Sequence, residues 1–268
     1  PAGLFGYTGA EAVIGNLTLE SVNVTGCYYV GSLVGNNNGN ITNVNSGGVV
    51  VGEYDTGGLV GLNSGSITGS AFTGTVTGTH KIEYGDWTGG LVGYNSGAIT
   101  DCWAAATVVS EGDNVGGLVG ENLTAGIITG SCSAGTVTAD DYAGGLAGDN
   151  RGEIMACYSI CTVSGGSYVG GLVSSGNDET VTDCYWDTET SGQSTSEGGT
   201  GKLTAEMKEQ ATYENWNFIT IWDINTSFNN GYPFLRWQNT EAVTVPAAPQ
   251  DFIAVPGDGQ VALSWTAP

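Results

Sequence analysis

Three aspartates, Asp86, Asp113 and Asp141, each stand five residues before the leucine of a recurring phrase of the form Gly-Gly-Leu-Val-Gly, with Asp55, Glu111 and Asp140 close to them in sequence. If the phrases stack, these carboxylates lie one strand spacing apart, and like charges that close repel unless a cation or solvent intervenes. Calcium takes about six to eight oxygen ligands and favours carboxylates with backbone carbonyls, so the column reads as a calcium site or as a solvated acidic ridge. Glu121 and Asp149, each three residues after the leucine, have a spacing that could suit a two-carboxylate hydrolase, roughly 5 to 10 Å between carboxyls. In a short exposed turn nothing would raise either pKa, so that pair is not expected to catalyse. His80 is the chain's single histidine. Without a second ligand it reads as an exposed loop residue.

Four residues before the leucine stand Tyr29, Trp87, Tyr142 and Tyr168, interrupted by Asp55 and Asn114. Tyr84 lies with Trp87 in the longest insertion, TGTHKIEYGDWTGG, residues 77–90. Aromatic faces along one edge could stack on sugar rings, which makes a surface glycan the expected ligand of Tyr29, Tyr84, Trp87, Tyr142 and Tyr168. The alternatives are a protein partner on a protruding loop and rings that only stabilise the stack. Cys102, Cys157 and Cys184 share one small interior position, and Cys161 also points inward, while Cys132 shares an outward column with Trp103 and Tyr158. Buried thiols acting as small hydrophobes are expected, with a Cys157–Cys184 disulfide as the alternative. No Cys-x-x-Cys pair occurs, which argues against zinc or redox chemistry.

The elements that must position these residues follow from periodicity. Leu4, Leu33, Leu59, Leu91, Leu118, Leu146 and Leu172 form one column with spacings of 29, 26, 32, 27, 28 and 26 residues. Ile14, Ile41, Ile67, Ile99, Ile128, Ile154 and Val181 form a second, and Val24, Val50, Val76, Val108, Val137 and Val163 a third. Each period therefore holds three short strands, and stacked coils bury columns that no single coil could bury alone. The fold expected is all-β, a right-handed parallel β-helix of about seven three-strand coils. Glycines supply corners, and Asn37, Asn63, Asn95, Asn122 and Asn150 fall in the turn four residues after the leucine, where side-chain amides can bond from coil to coil.

The spaced phrase Gly-Gly-Leu-Val-Gly-x-Asn-Ser-Gly-x-Ile-Thr, ending in Gly-Thr-Val-Thr-Gly, resembles the GLUG repeat of bacterial and archaeal surface proteins over residues 1–186. That resemblance implies a secreted or wall-attached, adhesin-like protein, sometimes accompanying a peptidase elsewhere in its chain, and it carries over no catalytic residue. Residues 187–240, with one plausible helix in LTAEMKEQATY N-capped by Thr204 and then a crowd of aromatics, read as a cap over the open solenoid end. Residues 241–268 read as a linker and the first two strands of a truncated fibronectin type III domain. The chain is taken as a piece of a longer protein.

Composition narrows the partners. Twenty-seven acids face five bases, a net charge of -22, which disfavours nucleic acid and anionic membrane surfaces. No run of about 18 apolar residues exists, so no membrane insertion is expected. Asn16, Asn23, Asn40, Asn122 and Asn225 each begin an Asn-x-Ser/Thr acceptor sequence. Together these features predict an extracellular or cell-surface, non-enzymatic rod binding glycan or protein through its faces. End-to-end self-association into a filament is the alternative, and a polysaccharide-degrading enzyme a more distant one.

Overall fold

The computed structural model describes residues 1–80, 86–112, 114–176 and 180–239, and the backbone of strands 250–257 and 260–266. The described residues between 1 and 187 wind as a parallel β-solenoid of three sheets. The first sheet stacks seven strands, Phe5–Thr8, Val34–Asn37, Val60–Asn63, Val92–Asn95, Val119–Asn122, Ala147–Asn150 and Val173–Gly176. The second stacks six, Tyr28–Val30, Tyr54–Gly57, Thr88–Gly89, Val115–Gly116, Tyr142–Gly144 and Tyr168–Gly170. The third begins with two long strands, Val13–Thr25 and Asn40–Gly52. From the next coil on, each long strand is replaced by a bent pair, the first being Ser66–Thr68 and Ala71–Gly78.

The bend has a local cause. One residue per coil takes a left-handed conformation there: Asn16, Asn43, Gly69, Asp101, Gly130, Ala156 and Asp183, with φ between 51° and 59°. Asn, Asp and Gly tolerate that region, and only Ala156 occupies it without such help.

The predicted columns are the core. Ile41, Ile67, Ile99, Ile128 and Ile154 pair in direct register, as do Val24, Val50, Val76, Val108, Val137 and Val163. The leucines from Leu33 to Leu172 are fully buried, whereas Leu4, in the first coil, is 57% exposed. The asparagine stack forms a ladder: Asn37 donates to Asn63, Asn63 to Asn95, Asn95 to Asn122 and Asn122 to Asn150, each at 2.8 Å. Asn122 is therefore committed and buried, which removes it as an exposed acceptor for glycan attachment.

The expected cap divides into two parts with different tasks. Residues 188–202 cover the last coil: Gly171 donates to Thr195, Trp186 packs on Gly171, and Thr200–Lys202 pairs with Tyr185–Asp187. The aromatic segment, residues 203–239, lies instead along the side of the rod. The outward positions of the third sheet explain why, because Thr18, Asn45, Ala71, Trp103, Cys132, Tyr158 and Tyr185 form one paired column. That column turns apolar at Trp103, and an apolar stripe facing water recruits a cover. Met207, Tyr213, Trp216, Trp222, Tyr232 and Leu235 close over Cys132, Tyr158 and Tyr185 as a second core. The left-handed corner turns backbone carbonyls to this cover: Asp183 accepts the Trp216 indole N–H at 2.8 Å and Asp101 that of Trp237 at 2.9 Å.

Asp187 pins the two parts together. It is fully buried and accepts from Tyr232 Oη at 2.6 Å, from Thr204 Oγ1 at 2.7 Å, and from the Glu189 and Thr190 amides. Burial alone would raise this carboxyl, but the hydrogen bonds from Tyr232, Thr190 and Thr204 outweigh it and hold the pKa below the ordinary value. The predicted helix shrinks accordingly to one turn, Thr204–Met207, followed by a 3-10 turn at Gln210–Thr212. Leu203, not Thr204, is its N-cap, because the Thr204 hydroxyl is taken by Asp187. Gln250–Gly257 and Gln260–Thr266 form an antiparallel hairpin.

Candidate functional site

Some of the acidic and aromatic residues singled out above, Tyr29, Asp55, Asp86, Trp87 and Glu121, lie where the first and second sheets meet. Glycine makes that approach feasible. A Cβ on Gly61, Gly93, Gly120 or Gly148 would fall 2.4 to 2.8 Å from backbone atoms of residues 29–30, 55–56, 87–88 and 114–115, so the corner carrying Tyr29, Asp55, Trp87 and Asn114 rests directly on the backbone of the first sheet. Tyr29, Asp55 and Asn114 are left-handed there, with φ of 47°, 44° and 55°. Asp55 is 6% exposed, and its Oδ1 has no hydrogen-bond partner among the described residues. Desolvation, helped by the charges of Glu121 and Asp86, pushes its pKa up to about 7.

Glu121 and Asp149 sit in one outward register of the first sheet with Leu62, Tyr94 and Ser175. The expectation of an exposed turn is corrected: Glu121 is 2% exposed. Arg151 clamps both carboxylates, Nη2 at 2.8 Å from Asp149 and Nη1 at 3.5 Å from Glu121. Burial raises the Glu121 pKa against the opposing pull of Arg151. An Arg clamp of this kind neutralises two charges that would otherwise repel across one strand spacing.

One strand along, three side chains form a relay. Tyr54 Oη lies 2.6 Å from His80 Nε2, and His80 Nδ1 lies 3.0 Å from Asp86 Oδ2. His80 is thus not a free loop residue; its side chain is 19% exposed and the start of the insertion stays stacked on the preceding coil, with Thr79 bonded to Gly52. The order phenol, imidazole, carboxylate is that of a nucleophile, its base and an orienting group. Desolvation, then the negative neighbourhood of Tyr28 and Asp86, holds the Tyr54 phenol above its ordinary pKa. A phenol so raised keeps its proton, so the relay fixes the corner more than it activates an oxygen.

Of the predicted calcium column, Asp86 lies 3.0 Å from His80 and Asp141, two coils on in the same register, accepts from Ser167 at 3.0 Å; Asp113 falls outside the described residues. Among the described residues no group of three or more His, Cys, Asp or Glu is arranged to hold a metal ion. The residues of the predicted aromatic edge have the following neighbours. Tyr142 and Tyr168 stack at 4.5 Å, Trp87 leans on Tyr94 at 4.6 Å, Tyr29 stays half-buried at its corner, and Tyr84 lies outside the described residues. A second stack, Tyr28 on Tyr54 at 4.6 Å and 4°, was reachable by counting five residues back from Leu33 and Leu59, the same offset that found Asp86. All six cysteines are free thiols, and burial drives Cys102 up to about 12, far from reactive.

Comparison with known proteins bears on this geometry. Residues 52–77 match the GLUG motif. A protein from Evansella cellulosilytica named as a Gly-rich membrane protein is 34% identical over 129 residues, which is 45% of this chain. The chain covers only 12% of that relative's length. No helix among the described residues is long and apolar enough to cross a membrane. A crystal structure assigned as an immunoglobulin A1 protease from Bacteroides ovatus matches 84% of this chain and 75% of its own, with a TM-score of 0.56 at 21% identity. A second structure, of an IgA1 protease, matches 80% of this chain and 20% of its own, with a TM-score of 0.59 at 20% identity. At such identities the likeness is one of fold. It still corrects the expectation of a non-enzymatic chain, because the same solenoid is found in proteins named as proteases.

Proposed function

We propose that this chain is the GLUG solenoid module of a larger secreted or surface-attached proteolytic protein, in which it holds a protein substrate at a fixed distance and orientation. The observation that carries this reading is the unbroken asparagine ladder through five coils, Asn37 to Asn150. A stack so bonded has few soft joints, and fixed positioning is what a presenting module must supply. The fold shared with two proteins named as IgA1 proteases and the Gly-rich membrane protein relative support the setting. The strongly acidic surface suits an extracellular medium. The hairpin over residues 250–266 fits the opening strands of a fibronectin type III module following the solenoid. A calcium ion on Asp86, Asp113 and Asp141 would stiffen the same edge, and calorimetric titration of the chain tests it.

The reading is tested by incubating the chain, and the full-length protein, with immunoglobulin A1 and with an unrelated glycoprotein. Binding is followed by interferometry and cleavage by gel. Saturable binding of the immunoglobulin by the chain, with cleavage in the full-length protein that falls when residues 1–187 are removed, is the expected result. No binding together with unchanged cleavage would overturn it.

A further inference from the structure

The aromatic cover stops short of the first coils. Trp237 and Trp103 mark its edge; Ala71 next to them is still buried, and beyond it the outward column becomes the exposed Asn45 and Thr18. The step between covered and uncovered coils leaves an open groove of about 870 Å³. Its floor is made by Thr18, Asn45, Gly47 and Thr73, and its wall by the two tryptophans with Gln238. Gly47 and Gly48 keep the floor flat; Gly48 has φ 146°, and a Cβ there would meet the Val22 carbonyl.

We propose that this groove binds a neutral oligosaccharide. Four observations select that chemistry. The wall carries two indoles, and the face of an indole stacks on the C–H face of a pyranose; Trp237 is held in place by its N–H on the Asp101 carbonyl. The polar lining is chiefly amide and hydroxyl, from Asn45, Asn229, Gln238, Thr18 and Thr73, which suits sugar hydroxyls as both donors and acceptors. Glu20 is the one charged residue of the lining, and a net charge of -22 repels anionic ligands. The floor strands Asn40–Gly52 and Ala71–Gly78 each have a neighbour on both sides, so their backbone groups are paired and a peptide gains no strand addition on them, while Val13–Thr25 pairs on one side only. The volume falls in the range of small-molecule sites, about 300 to 1,000 Å³. The groove would hold such a ligand whether or not the module serves a protease.

The test is tryptophan fluorescence and calorimetric titration of the chain with defined probes. One arm uses cellohexaose and xylohexaose, standing for environmental polysaccharide, and the other an N-acetylated glycoprotein core oligosaccharide; a neutral hexapeptide is added as competitor. Saturable binding in either arm, weakened about tenfold or more by Trp103→Ala, is expected. Because Trp103 also touches the second core, Thr73→Arg supplies the independent check: Thr73 is exposed, so this variant should fold normally and block the floor. No binding in either arm, binding that Thr73→Arg leaves unchanged, or binding of the peptide alone would overturn the proposal.

Discussion

Replacing Asn95 by Ala cuts the ladder at its middle. Asn95 is fully buried; its Nδ2 donates to Asn122 Oδ1 at 2.8 Å and to the Gly97 carbonyl at 3.1 Å, and its Oδ1 accepts from Asn63 at 2.8 Å and from the Gly97 amide at 3.3 Å. Two coil-to-coil bonds disappear, each contributing about 1 kcal/mol net, and the Asn122 carbonyl oxygen loses its ladder donor inside the stack, which costs roughly 1 to 3 kcal/mol more. The sum is about 3 to 5 kcal/mol, and for a domain of this size about 6 to 20 °C in Tm. The assay is urea and thermal unfolding of the chain by circular dichroism. Ser64→Ala serves as control, since Ser64 bonds Ser96 in the exposed part of the same turn and its loss should stay within about 0.5 kcal/mol. If Asn95→Ala costs no more than Ser64→Ala, the ladder does not hold the coils together.

Other outcomes follow from single residues. Asp55 titrates at about 7 in the folded chain against 3.8 ordinarily, so its contribution to stability is complete below pH 3.8 and is lost as pH rises through about 7. Asp55→Asn should therefore flatten the loss of stability between about pH 4 and pH 7, and an unchanged slope in urea midpoints would count against a buried, raised carboxyl. Trp222→Ala should cost about 3 to 5 kcal/mol and loosen the aromatic cover, so that Cys132 reacts with a thiol reagent while Cys157 and Cys161, inside the solenoid, stay protected; equal labelling of all three would refute the separation of the two cores. Ala156→Gly relieves a left-handed residue at φ 52° and should stabilise the chain by about 0.5 to 1 kcal/mol in the same unfolding assay; destabilisation would mean that the packing of the Ala156 methyl outweighs the strain.

The solenoid was legible because its signal is columnar: Leu, Ile, Val and Asn recur at one offset through most coils, and register follows from stacking like on like. The side-lying aromatic segment was not, although its reason was in view. Cys132, Trp103 and Tyr158 were placed in one outward column, and an outward apolar column needs a cover; the segment was assigned to the open end because end capping is the commoner need of a repeat array. The candidate site was harder still. Exposure of Glu121, Asp149 and His80 was inferred from their place in turns, and turns are ordinarily wet. Here the glycine column from Gly61 to Gly148 brings a corner of the second sheet onto the backbone of the first, and that contact between residues 30 or more apart leaves no mark in local spacing. The relay from Tyr54 through His80 to Asp86 likewise joins adjacent coils.

Capture of a protein substrate by this chain tests the presenting role most directly, measured by interferometry with the rod intact and with one coil, residues 96–122, deleted in register so that Asn95 meets Asn150. Saturable binding by the intact chain, with the folded shorter rod supporting slower proteolysis in the full-length protein, is the predicted result. Absence of saturable binding, with proteolysis equally fast on the shorter rod, would contradict it.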